Sequence, residues 1–202
     1  VLHAVILAGG RAARLGGADK PSLKVGGQTL LATVVMACQD AGADRIVVVG
    51  PEHGQLPVRF VREEPAGAGP FAALRRGLAE LDDPGDPGHP GARGLVAVLA
   101  ADLPFLRAAH LHTLLAAAEG RNGAVLIDHE GHPQWLTGCW HTAPLARAAA
   151  GYDGLSLRGL MTPLNPAHVL IDPGPGEPPP WLDCDTDADL RQARAWSAAD
   201  QR

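Results

Sequence analysis

The sequence predicts a three-layer α/β/α fold, one domain spanning residues 1–202. Three observations carry that expectation. Apolar runs of strand length, Val1 to Ala8, Arg45 to Gly50 and Leu95 to Ala100, read as strands buried on both faces of a sheet. Between them lie segments whose apolar residues recur at three and four positions, the spacing of a helix packed on one face. A chain of 202 residues is also long enough to bury one large core. Nothing in its composition forces a second.

The first strand, Val1 to Ala8, empties into a loop carrying Gly9, Gly10, Gly16 and Gly17. Glycines let backbone N–H groups approach a polyphosphate, and Arg11, Arg14 and Lys20 supply positive charge around it. This is the layout of an anion cradle. It is not a Walker A loop: Gly17 follows Gly16, and Lys20 has no hydroxyl residue after it. Nor does Gly9-Gly10-Arg11-Ala12-Ala13-Arg14 provide the glycine spacing of a dinucleotide fingerprint.

The segment Leu7-Ala8-Gly9-Gly10, then Arg14-Leu15-Gly16, then Asp19-Lys20 resembles the signature of nucleotidyltransferases that act on nucleoside triphosphates, in particular the molybdenum cofactor guanylyltransferases. Leu15 stands where that family has Met, and Ala12 where many members carry Ser. The resemblance implies that Leu7, Ala8, Gly9, Gly10, Arg11, Gly16 and Lys20 bind nucleotide, with Arg14 and Lys20 also catalytic.

Pro21 to Gln28 forms a crossing segment with a turn at Gly26-Gly27; by resemblance it follows the phosphates, with Lys24 a second candidate cation and a solvated lysine as the alternative. From Thr29 to Ala41, Leu30, Leu31, Val34, Val35 and Cys38 mark a helix ended by Gly42. Arg45 to Gly50 is the second strand and Val58 to Val61 a short third. The third delivers Arg62-Glu63-Glu64 and a glycine-rich turn to Gly69-Pro70-Phe71, where Pro70 suits a first helical position. The family has Gly-Pro-Leu here, which implies that Gly69 and Pro70 touch nucleotide. Guanine offers two N–H donors that one carboxylate can accept together. The nucleotide-binding expectation names Glu64, with Glu63 as the open alternative. A helix then runs from Phe71 to Leu81 on Leu74, Leu78 and Leu81.

Residues 83–92 combine three Gly and three Pro, which prevents regular structure and reads as a surface insertion. Leu95 to Ala100 is the next strand and ends at Asp102, in the crevice where open α/β sheets bind ligands. Magnesium prefers hard oxygen ligands and uses only one or two carboxylates, taking waters and phosphates for the rest. By resemblance Asp102 is catalytic and ligates Mg²⁺; the alternative is a cap on the helix that follows. That helix spans Leu106 to Glu119, and Gly123 to Asp128 is a further strand.

Pro133 to Trp140 reads as an edge strand, and by resemblance it runs antiparallel and walls the acceptor site with Gln134-Trp135-Leu136. Trp135 offers a stacking face for a pterin, with a core position as the alternative, and Arg158 a cation for the acceptor phosphate, with plain surface charge as the alternative. Short helices follow at Pro144 to Ala150 and Ser156 to Met161, then a strand at Val169 to Ile171 and a proline-rich loop from Pro173 to Pro180. In Asp183-Cys184-Asp185-Thr186 the two aspartates stand where the family has Asn. Asp185 is the second expected metal ligand, with capping of the last helix, Asp187 to Ala199, as the alternative. The elements sum to a Rossmann-like, mostly parallel sheet with an antiparallel member near the edge.

Charge and composition exclude other classes. With 22 acidic and 17 basic residues the net charge is -5, so no broad basic face serves nucleic acid and phosphate binding must be local. The apolar runs are strand-sized, and Val1 to Ala8 lacks the basic flank and length of a signal peptide. A cytoplasmic protein without membrane contact is expected. Cys38, Cys139 and Cys184 are scattered without a C-x-x-C, and the nine histidines form no metal-ligand pattern.

The expected reaction is transfer of a nucleotide to a phosphorylated acceptor. The resemblance makes the donor GTP, the acceptor molybdopterin and the cofactor Mg²⁺, with transient contact to proteins that deliver the cofactor. A cytidylyltransferase or another transferase on a phosphorylated metabolite is the nearest rival, and a catalytically silent nucleotide-binding module the rival of another class.

Overall fold

The first strand, β1 (Leu2–Leu7), sits in the middle of the protein, and every one of its residues is buried. The computed structural model describes residues 1–9, 14–15, 18–82 and 94–199. Flanking β1 are β2 (Ala43–Val49), which follows helix α1 (Leu30–Asp40), and β4 (Leu95–Ala100), both paired parallel to it. The short β3 (Arg59–Val61) adds parallel to β2 and leads into α2 (Pro70–Leu81). After β4 come α3 (Ala108–Ala117), β5 (Gly123–Ile127), β6 (Pro133–His141), α4 (Thr142–Ala150), α5 (Leu157–Met161), β7 (Ala167–Val169) and α6 (Asp187–Ala199). The seven-stranded sheet has the order β7-β5-β6-β4-β1-β2-β3.

Alternation within each strand sends side chains to two cores. Ala4, Ile6, Val48, Ala97, Leu99, Ala124 and Leu126 pack with α1 and α3. Val5, Leu7, Val47, Val49, Val96, Val98 and Val125 pack with α2, α4 and α5 on the other face. Strands with both faces covered need continuous apolar sequence, which is why these runs do not alternate with polar residues.

β6 corrects one expectation. It runs antiparallel to both neighbours, as foreseen, but it lies between β5 and β4 rather than at the sheet edge. Its interior place depends on Trp140, whose ring fills the space over two glycines. A Cβ on Gly123 would come 2.5 Å from Trp140 Cε3, and one on Gly138 2.9 Å from its Nε1. The edge is instead β7, three residues long and shifted toward the N-terminus of the predicted strand.

Because β1 is flanked by strands reached in opposite directions, the chain changes course between β1 and β4. Such a switch point opens a crevice at the carboxyl ends of the strands. A third core cluster closes one side of it: Val25, Leu30, Phe105, Cys184, Leu190 and Ala193 bury together. It joins α6 to the segment that carries Lys20 and to the loop that carries Asp102. The Arg194 Nε donates to the Lys24 carbonyl at 3.0 Å across the same junction. The turn at Gly26-Gly27 has positive φ at both residues, 61° and 86°, and closes a two-residue hairpin between Lys24–Val25 and Gln28–Thr29. Among the described residues no helix is long and apolar enough to cross a membrane.

Candidate active site

The crevice is a cavity of about 840 Å³ above the carboxyl ends of β1 and β4. That volume lies within the range of small-molecule sites. Leu7, Ala8 and Gly9 line it from the end of β1, and the Ala8 N–H donates to the Val49 carbonyl at 2.9 Å, which keeps this exit in sheet geometry. The Ala101 N–H donates to the Leu7 carbonyl at 3.1 Å. That bond holds the next residue, Asp102, over the end of the sheet.

Lys20 enters from a 3-10 turn spanning Lys20–Ser22, with only 6% of its side chain exposed. Its ammonium lies 2.5 Å from Asp102 Oδ2 and also donates to Asp185 Oδ1. Burial works against the charged lysine, but Asp102 and Asp185 outweigh it and hold its pKa above the usual value. The ammonium is therefore charged at any physiological pH.

Asp185 reaches Lys20 because Cys184 points the other way. Side chains alternate along an extended segment, so burial of Cys184 in the third cluster turns Asp183 and Asp185 together toward the cavity, which both line. The capping role falls to Thr186. Its Oγ1 accepts from the Asp189 N–H at 3.2 Å, while Asp189 Oδ2 accepts from the Thr186 N–H at 2.7 Å, closing a reciprocal cap on α6. Asp102 caps nothing either, since α3 begins only at Ala108 behind Arg107. Asp183 remains exposed, yet loss of solvent on its protein side, followed by repulsion from Asp185 and Asp102, raises its pKa to about 6 despite Lys20. Sequence reading gave Asp183 no separate role; its place beside Asp185 follows from the alternation around Cys184.

The two glutamates after β3 separate. Glu63 is 7% exposed, lines the cavity and accepts the Gly67 N–H on Oε1 at 3.0 Å. Glu64 is exposed and lies outside the lining, so of the two alternatives it is Glu63, not the Glu64 named in the expectation, that faces the cavity. The cause is again alternation: Val61 and Glu63 turn inward after β3, while Arg62 and Glu64 turn out. Gly69, with φ of 102°, sets the start of α2, and Pro70 takes its first turn; both line the cavity.

Gln134, Trp135 and Arg158 also line the cavity. The Gln134 amide donates to Asp128 Oδ2 and to the His132 carbonyl, both at 3.1 Å, so its position is fixed from behind. Trp135 stacks on Trp140 with centroids 6.5 Å apart and planes at 24°. Arg158 is exposed, next to the Ser156 side chain that caps α5 by accepting the Gly159 N–H at 3.1 Å. Lys24 is exposed and does not line the cavity. Gly10, Arg11, Gly16 and the insertion at 83–92 lie outside the described residues, and of Arg14 only the backbone is described, paired with Asp19 in a short ribbon.

Two carboxylates aimed at one cation position, with hard oxygen donors, suit a divalent ion that also takes phosphate oxygens. Among the described residues no group of three or more His, Cys, Asp or Glu is placed to cage an ion on its own. The residues present thus fit an ion shared with a substrate.

Residues 4–168 match the family model of the MobA-like NTP transferase domain. A probable molybdenum cofactor guanylyltransferase of Opitutus terrae is 35% identical over 64% of this chain and 62% of its own length. One from Mycobacterium avium is 30% identical over 96% of this chain and 97% of its own. Among solved structures, molybdopterin-guanine dinucleotide biosynthesis protein A from Archaeoglobus fulgidus superposes with a TM-score of 0.71 at 17% identity, covering 98% of this chain and 100% of that one. The 2-C-methyl-D-erythritol 4-phosphate cytidylyltransferase from Thermus thermophilus gives 0.66 at 21%, again over 98% and 100%. The two structures share the fold with this chain while their names carry different bases.

Proposed function

Because the chain belongs to the family of MobA-like NTP transferase domains, we propose that it moves GMP from GTP to the terminal phosphate of molybdopterin, releasing pyrophosphate. The observation that carries this reading is the convergence of Lys20, Asp102 and Asp185 in a cavity that Glu63 also lines. The names of the Opitutus and Mycobacterium relatives support the choice of base and acceptor.

In the proposed reaction an oxygen of the acceptor phosphate bonds to the α-phosphorus of GTP. The bond from that phosphorus to the oxygen bridging toward the β-phosphate breaks, and its electron pair leaves with pyrophosphate. The acceptor oxygen is already anionic at neutral pH, so no side chain need act as nucleophile. The protein aligns the two phosphates and neutralises charge. Lys20 presents a fixed positive charge to the triphosphate, joined by Arg14 from the glycine-rich segment. Asp102 and Asp185 would hold Mg²⁺, which supplies neutralisation of the reacting phosphate oxygens. Glu63 accepts the N1–H and N2–H donors of guanine, Oε1 remaining braced by Gly67. Gln134, Trp135 and Arg158 face the acceptor.

Anaerobic incubation of the purified protein with molybdopterin, GTP and Mg²⁺ tests the proposal. The guanine dinucleotide and one equivalent of pyrophosphate are expected together. Pyrophosphate released with CTP and not with GTP would transfer the protein to cytidylyl chemistry.

A further inference from the structure

His53 belongs to none of the motifs above, yet it contacts the segment that leads into Lys20. The residue comes from the loop that follows β2, and 11% of its side chain is exposed. Its Nδ1 lies 2.9 Å from Asp19 Oδ2 and 3.2 Å from Ser22 Oγ. Ser22 Oγ in turn donates to the same Asp19 oxygen at 2.7 Å. A carboxylate opposite Nδ1 requires the proton on that nitrogen, so one N–H is shared between the Asp19 oxygen and the Ser22 hydroxyl. Nε2 is buried with no partner among the described residues, so no competing hydrogen bond turns the ring away.

Asp19 is where several things join. Its backbone pairs with Arg14 in the ribbon of the glycine-rich segment, and the next residue is Lys20, whose ammonium meets Asp102 and Asp185. A ribbon of two residues per strand has few bonds of its own to keep it ordered. His53 ties its return strand to the body of the protein.

We propose that His53 is a positioning residue for nucleotide binding: it clamps Asp19 so that the return strand Ala18–Asp19 and Lys20 after it are pre-ordered before the triphosphate arrives. This rests on the nucleotidyltransferase reading and adds a residue to it. The physical consequence is a population effect. Without the clamp a smaller share of molecules holds the binding-competent loop, and apparent affinity falls by that share, while the bound complex is unchanged.

The test is His53→Ala and His53→Asn, with Asp19→Ala as the partner in a double-mutant cycle. The His53→Ala protein should bind GTP about tenfold more weakly and show a KM raised to match, with kcat within about twofold of the parent. In His53→Asn the amide nitrogen takes the place of Nδ1, so affinity should return. In the Asp19→Ala background the His53→Ala change should have no further effect. Backbone amides of residues 18–22 in the free protein should exchange with solvent faster in His53→Ala. A kcat loss without a change in GTP affinity, or additive effects of the two alanine changes, would overturn the proposal. Should the parent protein bind no triphosphate at all, the function reading fails instead. The clamp is then decided by exchange alone, and unaltered exchange at 18–22 overturns it.

Discussion

The ammonium of Lys20 donates to the carboxylate of Asp185 across 165 residues of sequence, and so closes the C-terminal segment onto the glycine-rich end of the chain. Its position between Asp185 and Asp102 is the position a divalent cation would want. On the proposed metal assignment, lysine and metal would compete until a triphosphate offers the ammonium another partner. Replacing Lys20 by Met should strengthen binding of Mn²⁺ to the nucleotide-free protein, followed by electron paramagnetic resonance, while weakening GTP binding. Unchanged or weaker metal binding in that variant would show that the two carboxylates do not share the cation position.

Asp102→Asn keeps the size of the side chain and removes its charge. The fold should persist, because Asp102 neither caps a helix nor joins a core cluster. The transfer rate should fall by at least about a hundredfold, the scale of losing one transition-state electrostatic group. Circular dichroism and pyrophosphate release measured on the same preparation decide it. A near-normal rate would sink the proposed assignment of Asp102 to a metal.

Glu63→Gln retains an oxygen to accept the Gly67 N–H and loses the charge that, on the proposed reading, two guanine donors would share. GTP affinity should drop by about tenfold or more, the scale of a hydrogen bond to a charged group. Glu64→Gln should leave it unaltered, since Glu64 faces solvent. Competition binding with a fluorescent GTP analogue separates the two. Equal losses would mean that neither reads the base.

His3 gives stability a pH dependence far from the active site. It is fully buried in β1, with neither ring nitrogen bonded among the described residues. Burial lowers its pKa, Asp44 opposing and Arg45 and the N-terminal amine assisting. The unfolded chain then binds a proton that the folded one refuses, so stability is full above about pH 6.5 and declines as pH falls below it. The slope is at most about 1.4 kcal/mol per pH unit for one group. Urea titrations between pH 7.5 and 5 should show the decline, and His3→Leu should flatten it. An equal slope in the variant assigns the effect elsewhere.

What the sequence made legible follows from how local each signal is. The buried strands announce themselves because both faces are covered, and Asp102 stands out as a charge at the end of such a run. Asp185 was equally visible as a carboxylate before a helix, although whether it caps or faces the site depends on Lys20, far away in the chain. The choice between Glu63 and Glu64 turns on the phase of one extended segment, which neighbouring residues of the same type conceal. β6 was misplaced to the edge because its polar, half-buried start, Pro133 and Gln134, resembles an edge, whereas its interior position is set by Gly123 and Trp140. His53 carried no signal at all: its partner Ser22 is 31 residues distant and neither lies in a recognisable spacing.

The central claim, that this cavity binds a nucleoside triphosphate and selects GTP, is tested most directly by calorimetric titration of the protein with GTP, CTP, ATP and UTP, each with and without Mg²⁺. Selective GTP binding that strengthens with Mg²⁺ is the predicted result. Absence of binding by all four triphosphates, with the protein folded, would contradict it.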